Sequence, residues 1–328
     1  MEKTLVLLHT EAGGALGCAA LETLGQAPAE FDLGIVGEGA AEAARSVGSC
    51  GAARVLAVSG AEFAVSRYST DAAAAEALVK ASGASVVLAP CTTRWRRALP
   101  GVAERVGGAV DTHVSSFADG AVTRWYYRQR IEGTLKREKR PWFVLLDGGA
   151  AAPGSFPAAD VAVEEVAVET GAVRTEVVGV VKTSEGQETI RPEAEMLLVA
   201  GAGWTKKQKD GAAHADVAAV LILDFLAKKR ASLGSSKSLV DLSGEGQAVL
   251  PFLTHLHQIG QTGATPRHAK GLATCCHGEE PHVVGWRFIN ERRAVNLDPN
   301  CGWARGKADV LYVADAFEVM RELNALLG

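Results

Sequence analysis

The stretch "TLVLLHTEAGGALGCAALETL" (residues 4–24) decides the fold, because it joins a strand, a glycine turn and a helix in one short segment. The apolar run at 4–8 predicts a buried strand, and residues 16–24 have the spacing of a helix. The same alternation continues along the chain. Further strands are predicted at 32–36, 53–58 and 84–89, and further helices at 39–47 and 71–82. This alternation is typical of βαβ units, so we predict an α/β fold with a mainly parallel sheet.

Three glycines, Gly13, Gly14 and Gly17, follow the first predicted strand. A glycine turn in this position binds phosphate in some α/β proteins, because small residues let the ligand approach backbone N–H groups. A plain turn is the simpler interpretation, since a lone glycine cluster is not specific. Both interpretations stay open at this point.

Length and composition predict the number of domains and argue against nucleic-acid-binding and membrane-spanning proteins. A chain of 328 residues exceeds one typical compact core, which predicts two domains. The formal net charge of −4 gives no general attraction to nucleic acid, and 6% aromatic residues leave little material for a base-stacking platform. No apolar run reaches the length of roughly eighteen residues that a membrane-spanning helix needs, so no membrane insertion is expected.

The α/β alternation restarts after a polar segment, residues 182–195, which contains Pro192. We place the domain boundary there, with an N-terminal α/β domain at 1–190 and a second, Rossmann-like α/β domain at 191–328. In the second domain, strands are predicted at 196–203, 293–297 and 309–314, and helices at 215–230 and 315–328. Asp315 is the expected N-cap of the last helix.

Two segments of the first domain have patterns of their own. Residues 124–142 contain seven basic residues around the dipeptide Glu-Gly, which predicts a β-hairpin extension with one solvated face. A docking patch for an acidic partner is the sharper interpretation of the same charges. Residues 161–183 alternate apolar and polar side chains around a Thr-Gly turn, which predicts two strands.

Six cysteines are present, and none forms a C-x-x-C pair. So sparse a set does not make a disulfide framework, and it favours a reducing, cytoplasmic location. Cys275 and Cys276 are adjacent, and adjacent residues on a strand point to opposite faces, so we predict buried strand residues and no metal site. His9 and His113 are isolated in the sequence, which gives no nucleophile–base set for hydrolysis.

Five motifs in the second half occur in a specific order. They are "GSSKSLVD" (234–241), "QIGQTGATP" (258–266), "LATCCHGEEPH" (272–282), "AVNLDP" (294–299) and "ADVLYVAD" (308–315). In order and spacing they resemble the C-terminal, FAD-binding domain of the electron transfer flavoprotein alpha subunit. The α/β domain and basic hairpin of the first half are similar to the first domain of that family.

The resemblance implies an FAD-binding electron carrier rather than an enzyme with a catalytic residue. The implied partners are an electron transfer flavoprotein beta subunit, in a heterodimer where the beta subunit commonly holds AMP, and a flavin-containing dehydrogenase as electron donor. The implied cofactor-binding residues are Ser235, Ser236, Lys237, Gln261, Thr262, Gly263, His277, Gly278, His282, Asn296, Asp298 and Asp309.

The resemblance also assigns roles. Ser235 and Ser236 would be small donors on a loop near the pyrophosphate, while Gln261 and Thr262 would point at the edge of the flavin ring. Lys237 would place a positive charge near the ring, and His282 would donate a hydrogen bond to it. The last three residues, Asn296, Asp298 and Asp309, would contact the ribose and adenine because they lie at strand ends, where α/β proteins bind nucleotides.

Several positions depart from the family pattern. Lys237 stands where the family has an arginine, Ala264 where it has a lysine, and His277 where it has a serine. The sequence has Cys275 and Gly203 in place of a glycine and an arginine, and Pro281 in place of a glutamine. Two alternatives therefore stay open. One is a flavin-free structural subunit of the same heterodimer, and the other is an adenine-nucleotide-binding α/β module with a hydrolytic role.

Overall fold

The computed structural model describes residues 2–126, 131–149, 151–171, 174–179, 189–191, 194–241, 248–259, 268–274, 289–301, 304–305 and 308–328. The chain divides into two compact units, Met1–Val181 and Lys182–Gly328. Each unit combines helices with a sheet of mostly parallel strands, so the predicted α/β fold class is confirmed.

The first unit has nine strands in one sheet among its described residues. They are β1 (Thr4–His9), β2 (Asp32–Gly37), β3 (Arg54–Ser59), β4 (Val86–Pro90), β5 (Ala109–Ala118), β6 (Ala121–Tyr126), β7 (Ile131–Leu135), β8 (Trp142–Leu146) and β9 (Val163–Glu165). Their order across the sheet is β7-β6-β5-β8-β4-β1-β2-β3-β9. Only the pairs β5–β6 and β6–β7 are antiparallel.

Helices cover both faces of this sheet. They are α1 (Cys18–Gly25), α2 (Ala40–Ser46), α3 (Tyr68–Ser82) and α4 (Thr93–Arg105). On one face, Leu5 and Leu7 of β1 pack in a core shared with α3 and α4. On the other face, Val6 and Leu8 pack in a core shared with α1 and α2. Parallel strands covered on both faces have no solvated side, which explains why residues 5–8 of β1 are all apolar.

A buried ion pair fastens α3 to α4 within this unit. Arg94 donates from Nε and Nη2 to Oδ1 of Asp71, at 2.9 and 2.7 Å, and from Nη2 to the carbonyl of Phe63 at 2.7 Å. The Asp71 side chain is fully buried, and Arg94 is nearly so. Removing one member of such a pair would leave the other charge buried without compensation. The pair therefore fixes the mutual position of the two helices.

The basic segment at 124–142 forms the predicted antiparallel pair, β6 with β7. Glu132 and Gly133 are inside β7, where they pair with Trp125 and Arg124 of β6, so the Glu-Gly dipeptide is not the turn. Of the two strands predicted at 161–183, the described residues contain one, the short strand β9, which pairs in parallel with β3. The described residues 174–179 contain no strand.

Asp111 on β5 interacts with two basic residues of the hairpin, Arg124 and Arg137. Arg137 donates to both carboxylate oxygens at 2.8 and 2.9 Å, and the Trp142 indole donates to Oδ2 at 3.0 Å. Arg124 lies 3.4 Å from Oδ1. Burial by itself would raise the pKa of Asp111, but the hydrogen bonds from Arg137 and Trp142 outweigh burial, and the net effect lowers the pKa. Part of the basic segment thus has a partner within the chain.

The second unit contains a five-stranded, wholly parallel sheet among its described residues. The strands are β10 (Met196–Ala200), β11 (Ser232–Ser235), β12 (His268–Thr274), β13 (Ile289–Asn296) and β14 (Val310–Val313), in the order β11-β10-β12-β13-β14. The helices are α5 (Ala215–Lys229), α6 (Lys237–Asp241) and α7 (Ala316–Leu326). Asp315 caps α7 by accepting from the N–H groups of Phe317 and Glu318, as predicted.

We expect Asp111→Asn to lower the free energy of unfolding by about 2 kcal/mol near neutral pH, because hydrogen bonds to a charged group contribute about 1.5–3 kcal/mol. The folded-state pKa of Asp111 lies below the ordinary unfolded value of about 3.9, so its stabilisation is complete above that value. The stabilisation is lost as the pH falls through the lowered folded-state pKa. Urea unfolding at a series of pH values measures the difference between the two proteins.

The matched control is Glu164→Gln, which breaks the exposed pair of Glu164 with Arg54 at 2.8 Å. An exposed pair of this kind is screened by solvent and contributes little to stability. A difference between Asp111→Asn and the parent protein that stays constant down to acidic pH would contradict the assigned role of the Asp111 charge.

Candidate functional site

The carboxyl ends of the second unit's strands form the first candidate site. Parallel pairing places Ala200 beside both Ser235 and Thr274, and it places Asn296 beside Val313. Thr274 in turn pairs with Val295, so Ser235, Thr274 and Asn296 lie along one edge of the sheet. This is the edge at which open α/β sheets bind ligands. Small polar side chains therefore line the expected binding edge.

Ser235 carries a buried hydroxyl at this edge. Its side chain is 1% exposed, and within the described residues its Oγ has no hydrogen-bond partner. The sequence predicted a loop position for Ser235, but the residue ends β11. The strand was missed because "SLGS" contains one large apolar residue, and tertiary burial rather than local propensity makes it a strand.

Gln258 lies next to Ser235, through an isolated parallel bridge. It is 4% exposed, and its Nε2 likewise has no partner within the described part of the chain. The neighbouring Ile259 N–H donates to the Ser235 carbonyl at 3.1 Å, which fixes the two backbones together. Buried polar groups are hydrogen-bonded as a rule, so two unpaired ones side by side indicate a place for a polar ligand.

Ser236 and Lys237 follow at the start of α6. The Ser236 N–H donates to the Ala200 carbonyl at 2.9 Å, and its hydroxyl accepts from the Leu239 N–H at 3.4 Å. Ser236 is thereby fixed against β10. Lys237 is exposed beside it, at the carboxyl edge of the sheet. Lys237 is also the first residue of α6.

The residues predicted to contact ribose and adenine lie at opposite edges of the second sheet. Asn296 is 3% exposed at the end of β13, and its Oδ1 accepts from the Asp298 N–H at 2.9 Å in an Asx turn. Asp298 is exposed just beyond it. Asp309 instead precedes β14, where its carboxylate accepts from the Arg292 N–H at 2.6 Å. Asp309 is therefore at the amino-terminal edge, and the sheet does not bring it together with Ser235 and Asn296.

Six of the predicted cofactor-binding residues lie outside the described residues: Gln261, Thr262, Gly263, His277, Gly278 and His282. Cys275 and Cys276 lie outside them as well. The described strand before them, β12, ends with Thr274, whose hydroxyl accepts from the Trp204 indole at 2.9 Å.

A second group of chemically competent side chains lies at the carboxyl edge of the first sheet. Cys91 directly follows β4, Asp147 directly follows β8, and His113 is near the middle of β5. Their ligand atoms all lie within 4.8 Å of one another. His113 donates from Nδ1 to Asp147 Oδ1 at 2.9 Å, and its backbone N–H points at Cys91 Sγ at 3.4 Å. The sequence interpretation of an isolated His113 is therefore wrong.

His9 is not isolated either. It is buried at the end of β1, donates from Nδ1 to the Thr10 carbonyl at 3.1 Å and accepts at Nε2 from the Thr92 hydroxyl at 2.9 Å. Its ring meets the Trp95 ring edge-on at 5.6 Å. Burial is the main reason that the pKa of His9 is lowered, so its imidazole is neutral at physiological pH. His9 positions the start of α4.

The Cys91 thiol is not an activated nucleophile. Burial is the main reason that the pKa of Cys91 is raised, to about 12, and the nearby Asp147 charge adds to the effect. The His113 imidazole points to Asp147 and to Arg96, whose Nη1 lies 3.2 Å from Nε2, rather than to the sulfur. A catalytic cysteine needs a depressed pKa and a base that takes its proton, and this group supplies neither.

Sequence reasoning missed this group because Cys91, His113 and Asp147 are widely separated along the chain. Cys91 and Asp147 each follow a buried apolar run, and that is the signal which a search for strand ends would use. His113 gives no such signal, since its position depends on an irregularity in β5.

The comparisons with known proteins concern the first unit. Within the described residues, no helix combines the length and apolar character needed to cross a membrane. No curated protein matches the chain. Residues 15–171, slightly less than half of the chain, match the family model described as the electron transfer flavoprotein domain. This match supports placing the chain in the electron transfer flavoprotein family, and it does not distinguish the alpha from the beta subunit.

Proposed function

We propose that this chain is the FAD-binding alpha subunit of an electron transfer flavoprotein. It would pair with a beta subunit in the cytoplasm and carry electrons from a flavin-containing dehydrogenase to a downstream acceptor. The observation that carries the proposal is the match of residues 15–171 to the electron transfer flavoprotein domain. The choice of the alpha subunit is supported by the five ordered motifs between residues 234 and 315.

FAD binding is supported by the carboxyl edge of the second sheet. The buried hydroxyl of Ser235 and amide of Gln258 offer polar atoms that the described chain leaves unpaired. Ser236 adds a small side chain and Asn296 an amide at the same edge. These residues fit the polar parts of a dinucleotide, which need hydrogen bonds and close approach to the backbone. The cofactor itself would supply the redox chemistry that the side chains lack.

Each residue would then act on a bound dinucleotide by positioning or by charge. Ser235 and Gln258 would hydrogen-bond it inside the protein, where water is excluded. Ser236, fixed by its bond to Ala200, would keep the turn before α6 in place. Lys237 would stabilise added negative charge on the ring. An electron carrier needs no proton-transferring base for bond cleavage, and the protonated Cys91 thiol is consistent with that.

The exposed apolar side chains of β14 support a heterodimer better than the basic hairpin does. Arg124 and Arg137 are already engaged with Asp111, so they do not constitute a free docking patch. The edge strand β14 instead exposes apolar side chains, with Tyr312 49% and Val313 56% exposed. Exposed apolar edges of this kind favour association with another chain.

The first prediction concerns flavin content. The chain co-expressed with its beta subunit should release one FAD per chain on denaturation, as quantified by chromatography. Ser235→Ala removes the buried hydroxyl without adding bulk, so titration of the flavin-depleted complex should show an FAD Kd raised about fivefold, equivalent to about 1 kcal/mol.

Asp309→Asn is the matched control, because Asp309 lies at the opposite edge of the sheet, and its FAD Kd should equal that of the parent. A complex that releases only trace flavin after growth with riboflavin would favour the flavin-free structural subunit. An unchanged Kd in Ser235→Ala would remove Ser235 from the site.

A second prediction concerns the charge of Lys237. Lys237→Met should lower the flavin reduction potential, because loss of the positive charge removes stabilisation of the reduced ring. The effect should be about 1 kcal/mol or less, since Lys237 is exposed to solvent. Lys237→Arg should hold the potential or raise it slightly, because a guanidinium keeps the charge and can stack on the ring.

Spectroelectrochemical titration of the complex measures both variants, with Lys80→Met on α3 of the first unit as the control for loss of a surface charge. A potential in Lys237→Met equal to that of the parent would mean that Lys237 does not face the flavin. FAD content should stay the same in all three variants.

The third prediction concerns the partner. Light scattering on a sizing column should show a one-to-one complex of the two subunits. Val313→Lys on β14 should raise the Kd of the heterodimer by about tenfold or more, equivalent to about 1.4 kcal/mol. Val220→Lys, at an exposed apolar position on α5, should leave it unchanged. A chain that is a stable, flavin-loaded monomer by itself would contradict the heterodimer.

A further inference from the structure

Within the described part of the chain, one group of three cysteine, histidine or acidic side chains is close enough to share a metal ion. Its members are Cys91, His113 and Asp147. The parallel pairs β4–β8 and β8–β5 bring them together. Pro90 pairs with Leu146, so the residues that follow, Cys91 and Asp147, lie side by side at the edge. The Cys91 N–H donates to the Leu146 carbonyl at 2.7 Å and fixes this arrangement.

His113 reaches the same edge through a bulge. Along the β5–β8 pair, Asp111 is opposite Val144 but Val114 is opposite Leu146, so β5 has one extra residue. His113 takes up the irregularity with a left-handed backbone, φ 55°. That conformation is uncommon for a residue other than glycine, and it costs conformational energy. Bulges redirect side chains and recur beside functional sites, and here the bulge aims the imidazole at Asp147.

The three donors are a sulfur, a nitrogen and an oxygen. This mixture suits zinc, which takes thiolate, imidazole and carboxylate ligands at about 2.0–2.3 Å. Ligand atoms around a tetrahedral zinc are therefore roughly 3–4 Å apart, and the present separations, none above 4.8 Å, need only small side-chain adjustments. His113 is 48% and Asp147 36% exposed, so both side chains can move and solvent reaches the group.

We propose that Cys91 Sγ, His113 Nδ1 and Asp147 Oδ1 bind one zinc ion, with a fourth position open to solvent. Zinc binding has two consequences. The His113–Asp147 hydrogen bond is lost, and the thiol proton of Cys91 passes to solvent as the thiolate coordinates the metal. When Nδ1 binds the metal, the imidazole proton resides on Nε2. Arg96 now donates to Nε2, so its exposed side chain has to swing away.

This site is independent of the flavin proposal, because it lies in the first unit and uses none of the residues around Ser235. Three-ligand zinc sites with an open position accept a further ligand from solvent or from a partner protein. The class of ligand that the fourth position would take is a water molecule or an anionic group.

The test is a calorimetric titration of the purified full chain with Zn²⁺, followed by Co²⁺ as a spectroscopic probe of thiolate coordination. Cys91→Ser and Asp147→Asn should each weaken zinc binding by roughly 100-fold or more, since even loss of a residue behind a metal ligand costs about 10–100-fold. The thiolate-to-cobalt band in the difference spectrum should vanish in Cys91→Ser. Cys18→Ser, an exposed cysteine on α1, should keep both signals.

His113→Gly separates a ligand role from a purely structural one. Glycine adopts positive φ without strain, so this variant should fold at least as well as the parent, with an equal or higher Tm in the absence of metal. It should nevertheless lose the high-affinity zinc site and the rise in Tm that Zn²⁺ gives the parent. Arg96→Gln should bind zinc more tightly, because it removes the cation that competes for the imidazole.

Zinc affinity unchanged in Cys91→Ser or in His113→Gly would overturn the proposal. So would a cobalt signal that disappears only when Cys275 and Cys276 are both replaced by serine, because that result would place the metal in the other unit. A folded Asp147→Asn variant with parent affinity would remove Asp147 from the ligand set and overturn the three-ligand site.

Discussion

Parallel strand pairing is the constraint on which both candidate sites depend. In a parallel sheet every strand runs the same way, so the residues that follow the strands meet at one edge even when they are far apart in sequence. Ser235, Thr274 and Asn296 meet in this way in the second unit. Cys91 and Asp147 meet in the same way in the first. Each edge holds polar groups that end a buried strand or directly follow one.

Desolvation acts on two polar groups of the first sheet, and their neighbours decide the net change in pKa. The Cys91 thiol and the Asp111 carboxylate are both withdrawn from water, yet the pKa of one is raised and that of the other lowered. The difference arises from the neighbours: Asp111 receives hydrogen bonds from Arg137 and Trp142, whereas Cys91 faces the negative charge of Asp147. Charge pairing therefore makes Asp111 a structural anion and leaves Cys91 a neutral thiol.

Within the described residues, the Ser235 hydroxyl and the Gln258 Nε2 have no hydrogen-bond partner, which sets the second unit apart. A protein interior seldom leaves a polar atom without a partner, because the loss of hydration is uncompensated. Two such atoms at the carboxyl edge are the basis of the proposed dinucleotide site. The family match, by contrast, covers residues 15–171 in the first unit. Together with the motifs of the second half, it makes an electron transfer flavoprotein subunit the function that these observations support best.

The sequence by itself determined the α/β class, the buried parallel strands and the N-cap of the last helix, because apolar runs and capping residues are local signals. The resemblance also predicted Ser235 and Asn296 as cofactor-binding residues, which stays a prediction. Only the tertiary structure decided that Ser235 ends a strand, that Asp309 lies at the opposite edge, and that Arg124 and Arg137 pair with Asp111. It also brought Cys91, His113 and Asp147 together, because strand register and a bulge in β5 are set by long-range pairing that no local pattern records.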